Sequence, residues 1–312
     1  MARVITVAAA QLGPVPRDAS RSSVVARMVA LMEQAARVRA ALVVFPELAL
    51  TSFFPRWAID DDSVLNGFFE SSMPSRATQP LFATARRLQL GVCFGYAELI
   101  RRAGSVRRFN SSALVGPDGS LIGHYRKVHL PGDREPQPGF EHQHLEKRYF
   151  ETGDLGFPVW RTFGGIVGML ICNDRRWPEA WRVLGLQAVE LVLIGYNTPL
   201  RNPEAPEHDR LVAFQHSLVV QSGCYQNGTW AVAVGKAGIE EGQAMLPDSM
   251  VVAPSGEIVA RATTSGDELV VAEIDLDATR SYKTTIFDFG AHRVPQAYRM
   301  LVERTGAEPP DV

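Results

Sequence analysis

The sequence predicts an α/β protein, a four-layer αββα sandwich, on two observations. Short apolar runs that read as buried strands alternate with segments of helical apolar spacing as far as about residue 274. Such alternation places sheets inside and helices outside. A hairpin sequence also occurs twice. Ser112-Ala-Leu-Val-Gly-Pro117-Asp-Gly119-Ser-Leu-Ile and Ser249-Met-Val-Val-Ala-Pro254-Ser-Gly256-Glu-Ile-Val share one spacing. Two copies do not make a solenoid; they imply two similar half-sheets facing each other.

Taken in order, residues 4–10 read as the first strand. Residues 20–39 carry Val24, Val25, Met28, Leu31, Met32 and Ala35 at helical spacing. Residues 41–45 are a buried strand running into Pro46-Glu47. A looser aromatic stretch follows (Phe53, Phe54, Trp57, Phe68, Phe69), then a helix at 78–88 and a strand at 91–99. Residues 109–125 form a hairpin around Gly116-Pro117-Asp118-Gly119. The cluster Arg101-Arg102 and Arg107-Arg108 around Gly104 reads as a solvated hairpin tip. Residues 127–158 lack periodicity, and a connection this long inside a compact fold is commonly functional. Strands follow at 157–163 and 166–171, a helix at 179–187 and a strand at 190–194. A long helix at 205–225 has Leu211, Phe214 and Leu218 on one side. Strands at 230–234, 250–253, 258–262 and 269–274 complete the pattern.

Length and composition fit one domain over 1–312, with 277–312 an arm docked on the body or on a neighbouring subunit. The arm's Tyr282, Ile286, Phe287, Phe289 and Tyr298 are too apolar for a free tail. A formal net charge of −2 gives no reason to expect nucleic acid or an anionic membrane as partner. Residues 4–10 are too short and run too soon into Gly13-Pro14 for a signal peptide, and no apolar run spans a bilayer. Three cysteines without close spacing argue against a disulfide framework and suit the cytoplasm.

Three reactive side chains directly follow buried strands, where α/β proteins gather ligands. Glu47 ends Val43-Val44-Phe45-Pro46-Glu47, Lys127 follows Gly123-His124-Tyr125-Arg126, and Cys172 follows Gly168-Met169-Leu170-Ile171. A carboxylate can take a thiol proton, and an ammonium can neutralise the oxyanion formed when a thiolate attacks a carbonyl. At a strand-to-helix turn before Pro178, free N–H groups and the helix end would lower the thiol's pKa. Each residue has a plainer reading. Glu47 could cap a helix or sit in a core ion pair, Lys127 could be solvated, and Cys172 could be a packing thiol like Cys93 and Cys224.

Taken together, Phe45-Pro46-Glu47-Leu48, Tyr125-Arg126-Lys127-Val128-His129-Leu130 and Ile171-Cys172-Asn173-Asp174 resemble the three signatures of the nitrilase (carbon–nitrogen hydrolase) superfamily. Their order and spacing match, over residues 4 to about 274. The resemblance implies the αββα sandwich, hydrolysis without cofactor, and catalytic Glu47, Lys127 and Cys172. The branch it most resembles hydrolyses N-carbamoyl-D-amino acids. That likeness lies in residues 45–57, in His144-Leu145-Glu146-Lys147-Arg148-Tyr149-Phe150, in residues 172–182 and in Gly195-Tyr196-Asn197-Thr198-Pro199. The D preference comes from the likeness alone. A sibling amidase, nitrilase or β-ureidopropionase would use the same triad, and a non-catalytic binding protein would lack one of its members.

An acidic substrate follows from the residues themselves. Arg175 and Arg176 lie just past the nucleophile, and a guanidinium pairs with a carboxylate through two hydrogen bonds. The plainer alternative pairs one arginine with Asp174 or Glu179 and leaves the other for substrate. The resemblance adds Asn197 and Thr198 to the anion pocket; Asn197 is equally a turn residue before Pro199. It gives His144 to the lining, makes Glu146 a second carboxylate orienting Lys127, and gives Asn173 the backbone N–H for the oxyanion. His129, two residues past Lys127, would share its strand face and reach the carboxylate, or else hold a loop carbonyl. His142, His144 and Glu146 invite a metal, but no further pair completes a zinc pattern, so no metal and no cofactor are expected. The partners expected are a small N-carbamoyl amino acid and further copies of the chain, as a homodimer or homotetramer. One departure stands out. Leu246-Pro247-Asp248-Ser249 lacks the glycine common in the family near Ser249, in a loop expected at the pocket mouth.

Overall fold

Two sheets, each built to the same plan, place the candidate residues. A computed structural model describes residues 2–102, 104–203 and 205–310. Its first half contains β1 (Val4–Gln11), α1 (Arg21–Arg37), β2 (Leu42–Val44), α2 (Asp62–Asn66), β3 (Phe69–Glu70), α3 (Gln79–Leu88), β4 (Gly91–Arg102), β5 (Ser105–Val115) and β6 (Leu121–Arg126). After α4 (Glu146–Tyr149) come β7 (Val159–Thr162), β8 (Gly165–Ile171), α5 (Pro178–Leu186), β9 (Leu191–Tyr196), α6 (Val212–Asn227), β10 (Trp230–Gly235), β11 (Gly238–Glu240), β12 (Gln243–Met245), β13 (Met250–Val252) and β14 (Ile258–Arg261). β15 (Glu268–Asp275) returns to pair antiparallel with β1.

The first sheet runs β15-β1-β2-β4-β5-β6, with β3 beside β4; the second runs β14-β13-β10-β9-β8-β7. Parallel strands stand at the centre of each, β1-β2-β4 in one and β8-β9-β10 in the other. The repeated hairpin occupies matching places as β5–β6 and β13–β14. Each copy shifts register at the corresponding residues, Leu114/Val115 and Val251/Val252.

Inner faces of the two sheets meet in one core, where Val7, Val44, Cys93 and Leu114 join Met169, Ile171, Leu193, Val232 and Val252. Helices α1 and α3 cover the outside of the first sheet through Val24, Met28, Leu31, Leu81 and Phe82. Helices α5 and α6 cover the second through Ala180, Trp181, Leu184, Val220 and Cys224. The αββα layers are therefore as the sequence predicts. Helix α1 buries every residue its spacing selects, and the Ser20 hydroxyl caps it by accepting from Ser23 N, a contact worth about 1 kcal/mol.

Two local readings change. The long helix begins as a 3-10 turn, Pro206–Leu211, and then turns its expected apolar side outward: Phe214 is 63% and Leu218 50% exposed. The inward side is His216, Val220, Gly223, Cys224 and Asn227. It packs through small size, since a Cβ at Gly223 would meet the Trp181 indole at 2.3 Å. Apolar spacing cannot see such a face. The arginine-rich tip is also more structured than its charge suggests. β4 and β5 pair out to Arg102–Ser105; Arg107 bonds Glu151 and Asp154, and Arg108 bonds Asp62.

Past β15, Tyr282 and Phe287 stand edge-on to Tyr225, and Arg182 lies 4.2 Å over Phe289. Val294, Met300, Leu301 and Val302 beyond them are exposed. No helix among the described residues is long and apolar enough to cross a membrane.

Strands of both sheets crowd the backbone of Glu47. A Cβ at Gly95 would fall 2.6 Å from Glu47 Cα, and one at Gly195 2.6 Å from Glu47 N. Both glycines are needed for the strand end to fit. Gly195→Ala is expected to lower the urea unfolding free energy by about 1–3 kcal/mol and to cut activity. An unchanged midpoint with unchanged activity would show that the strand end is not clamped there.

Candidate active site

β2 passes directly into Phe45-Pro46-Glu47 and delivers Glu47 between the sheets, with no exposed surface. Its backbone and side chain are both held by Asn197: Asn197 N donates to Oε2 at 2.9 Å, and Asn197 Nδ2 donates to the Glu47 carbonyl at 2.7 Å. The other carboxylate oxygen, Oε1, accepts from Lys127 Nζ at 2.7 Å and Asn110 Nδ2 at 2.8 Å.

Lys127 follows β6 and is equally enclosed. Its ammonium donates to both oxygens of Glu146, at 2.9 and 2.7 Å. Burial opposes the charge on Lys127, but Glu146 and Glu47 outweigh it and leave its pKa above the ordinary lysine value. Burial moves Glu146 the other way, well above the usual carboxylate range, against the pull of Lys127 and with a push from Glu47. Asn110 bridges the two acids, reaching Glu146 Oε2 at 3.2 Å. No motif marks Asn110 in the sequence; its one signal is a polar run, Asn110-Ser111-Ser112, inside a buried strand.

Cys172 stands at the end of β8 with φ +47°, a conformation that L residues rarely adopt. Asp174 braces this turn. Its Oδ2 accepts from Ile171 N and the Tyr125 hydroxyl, and its Oδ1 from His129 N and Nδ1. The thiol points to the Asn197 carbonyl at 3.5 Å. Its pKa runs opposite to the sequence expectation. Burial and then Glu47 raise it, and Lys127 and Arg175 offset them only in part. A nearby base is therefore required to form the thiolate.

The sulfur is not sealed in packing. Cys172 lines a cavity of about 270 Å³ together with Phe53, His144, Asn173, Arg176, Asn197 and Thr198. Glu47, Lys127 and Glu146 lie fully buried beneath it.

The two arginines part ways. Arg175 is 1% exposed, and each of its three nitrogens donates once, to the Cys172 carbonyl (2.6 Å), Thr198 Oγ1 (2.9 Å) and His216 Nδ1 (3.1 Å). It lies over the Tyr196 ring at 4.8 Å, and no carboxylate pairs with it among the described residues. Its place is behind the wall, contrary to the expectation that it would line the pocket. Arg176 opens onto the cavity, and no acceptor among the described residues holds its guanidinium. Arg176 is exposed overall; partial desolvation by the cavity wall and the charge of Arg175 lower its pKa, yet a guanidinium stays charged at working pH.

His129 also departs from expectation. β6 ends at Arg126, so the strand alternation that would align His129 with Lys127 stops short. His129 binds Asp174, stacks on Trp177 at 5.0 Å and faces a separate cavity that shares Asn173. Asn173 Nδ2 donates to the His129 carbonyl. His216, unmarked by sequence, orients Arg175; its Nε2 faces the Asp248 carbonyl at 3.3 Å. The Pro247-Asp248 segment thus lies behind Arg175 rather than at the mouth, and Leu246 N bonds the Thr198 carbonyl.

The carbon–nitrogen hydrolase family profile matches residues 6–284. An N-carbamoylputrescine amidase from Arabidopsis thaliana is 30% identical over 250 residues, 77% of this chain and 78% of that protein. A citrullinase from Francisella tularensis is 32% identical over 204 residues, 63% of this chain and 66% of that protein. The crystal structure of a carbon–nitrogen hydrolase from Helicobacter pylori G27 has a TM-score of 0.82 at 25% identity, covering 96% of this chain and 99% of that one. The chain belongs to the carbon–nitrogen hydrolase family and is a hydrolase acting on amides. Neither named relative is an N-carbamoyl-D-amino acid hydrolase.

His144 sits edge-on to Phe53 in the cavity wall. Burial, then the charges of Lys127, Arg176 and Arg56, lower its pKa from 6.5 to about 4. Between those values the unfolded chain binds the proton and the folded one does not, so His144 takes stability away as pH falls through that window. Urea midpoints of His144→Gln are expected to fall less than wild type between pH 6.5 and pH 4. Equal losses in the two proteins would contradict the assignment.

Proposed function

We propose that this hydrolase converts N-carbamoyl-D-amino acids to the D-amino acid, carbon dioxide and ammonia, with no cofactor. The observation that carries the substrate class is Arg176, a guanidinium that lines the cavity beside Cys172 and has no partner among the described residues. Among the described residues lining this cavity none is acidic, while Arg176 and Arg201 are both basic. Such a wall favours a carboxylate over the ammonium of N-carbamoylputrescine. The D preference is supported by the sequence likeness in residues 45–57, 144–150, 172–182 and 195–199.

In the mechanism we propose, Glu47 takes the Cys172 proton and the thiolate attacks the carbamoyl carbon. Lys127 Nζ and Asn173 N–H hold the oxyanion. The C–N bond breaks as the departing nitrogen takes the proton back from Glu47, leaving a carbamoyl thioester. Glu47 then removes a proton from water, which attacks the thioester and frees the thiol and carbamate; carbamate decays to carbon dioxide and ammonia. Glu146 holds Lys127 in line, Arg176 takes the substrate carboxylate, and Thr198, Asn197 and His144 shape the wall.

The alternative is a sibling amidase or β-ureidopropionase with the same triad on another C–N bond, a reading favoured by the names of the two relatives. A cytoplasmic homodimer or homotetramer completes the proposal, supported by three unpaired cysteines and by exposed Phe214 and Leu218 on α6.

The test compares hydrolysis of one N-carbamoyl amino acid as D and L enantiomers with N-carbamoylputrescine, citrulline and a neutral nitrile. The D form is expected to be fastest. A charge-assisted hydrogen bond is worth about 1.5–3 kcal/mol, so Arg176→Gln should raise KM for the D form roughly 10- to 100-fold. Preference for N-carbamoylputrescine, or an Arg176→Gln enzyme with unchanged KM, would overturn this reading.

A further inference from the structure

A second set of buried charges lies outside the catalytic group. Arg56, Lys236 and Glu240 have no exposed surface, and none of them lines the cavity. The Glu240 carboxylate accepts from Phe53 N at 2.7 Å, Val15 N at 3.0 Å and Arg56 Nη2 at 2.8 Å, and pairs with Lys236 Nζ at 3.3 Å. Arg56 adds bonds to the Glu240 carbonyl (2.5 Å) and the Phe53 carbonyl (3.0 Å), and Lys236 donates to the Thr51 carbonyl.

Stability is a weak reason to bury three charges, because apolar residues of similar volume often hold a fold as well. What distinguishes this cluster is where its bonds lead. It fixes the 51–56 loop, whose Phe53 ring lines the cavity. That loop supports the strap above it. Gln143 N donates to the Arg56 carbonyl at 3.0 Å and Leu145 N to the Pro55 carbonyl at 2.8 Å, and Gln143 and His144 both line the cavity. Glu240 itself belongs to the β11–β12 ribbon, whose Gln243 lines the cavity and whose Ala244 carbonyl accepts from Leu200 N at 2.9 Å. Two segments that line one cavity therefore hang from one carboxylate.

We propose that Glu240, with Arg56 and Lys236, is the positioning centre of the substrate cavity, setting which ligands reach Cys172 without taking part in the chemistry. The proposal deepens the functional reading above and rests on it only for the identity of the substrate. Two alkylating probes test it on the intact protein, read at the Cys172 peptide by mass spectrometry. Iodoacetamide needs only the thiol, whereas the aromatic ring of iodoacetanilide must fit between Phe53, His144 and Gln243. In Glu240→Gln the iodoacetamide rate is expected to match wild type. The iodoacetanilide rate is expected to change roughly 10-fold, and KM for an N-carbamoyl-D-amino acid to rise with kcat held. A lower melting temperature with both probe rates unchanged overturns the proposal, and so does an equal fall in both. If Glu240→Gln does not fold, Arg56→Lys keeps the charge and removes the forked bonds, and is expected to give the same split. Wild-type protein that hydrolyses no N-carbamoyl amino acid would defeat the substrate reading alone, since the probe pair is read without substrate.

Discussion

One buried ammonium between two buried carboxylates is the constraint around which the chain is arranged. Lys127 binds Glu47 and both oxygens of Glu146, and Asn110 ties the two acids together. Such a group tolerates no vacancy: removing one member of a buried ion pair costs about 3–5 kcal/mol, because the remaining charge is left without compensation. The same closeness gives the group its chemical use. Burial and the negative charge of Glu47 raise the Cys172 pKa, so in the mechanism proposed above the acid that disfavours the thiolate is also the base that takes the proton.

Three strand ends must meet for this to happen, and they come from both sheets. β2 and β6 of the first sheet bring Glu47 and Lys127; β8 of the second brings Cys172. Face-to-face packing closes the gap, and Gly95 and Gly195 leave room for the Glu47 backbone. Asn197, at the end of β9, locks the junction by binding Glu47 twice and receiving the thiol. Asp174 fixes the strained turn from the other side through Tyr125 and His129. Fold and site are thus one set of contacts: the sheets cannot separate without dispersing the reactive groups.

The parts legible in the sequence were those where local order decides the outcome. Glu47, Lys127 and Cys172 each follow a buried run, and a strand end has one direction in which to continue. The hairpin echo revealed two matched sheets for the same reason. Roles decided by neighbours distant in sequence were not legible. Adjacent arginines look alike on paper, and only the Thr198 hydroxyl, the Cys172 carbonyl and His216 separate Arg175 from Arg176. His129 was misdirected because the strand stopped three residues earlier. Helix α6 was turned the wrong way because Gly223 and His216, not Phe214 and Leu218, face the sheet. The rise in the Cys172 pKa was missed because a turn's local dipoles are visible in sequence, whereas depth of burial is not.

The central claim, that Cys172 carries the carbamoyl group, is tested most directly by quenching turnover in acid and weighing the peptide that contains it. The account predicts a mass increase of one carbamoyl group on that peptide, absent from Cys93 and Cys224 peptides and absent altogether in Cys172→Ala, which forms no product. Product formation by Cys172→Ala at the wild-type rate would contradict it.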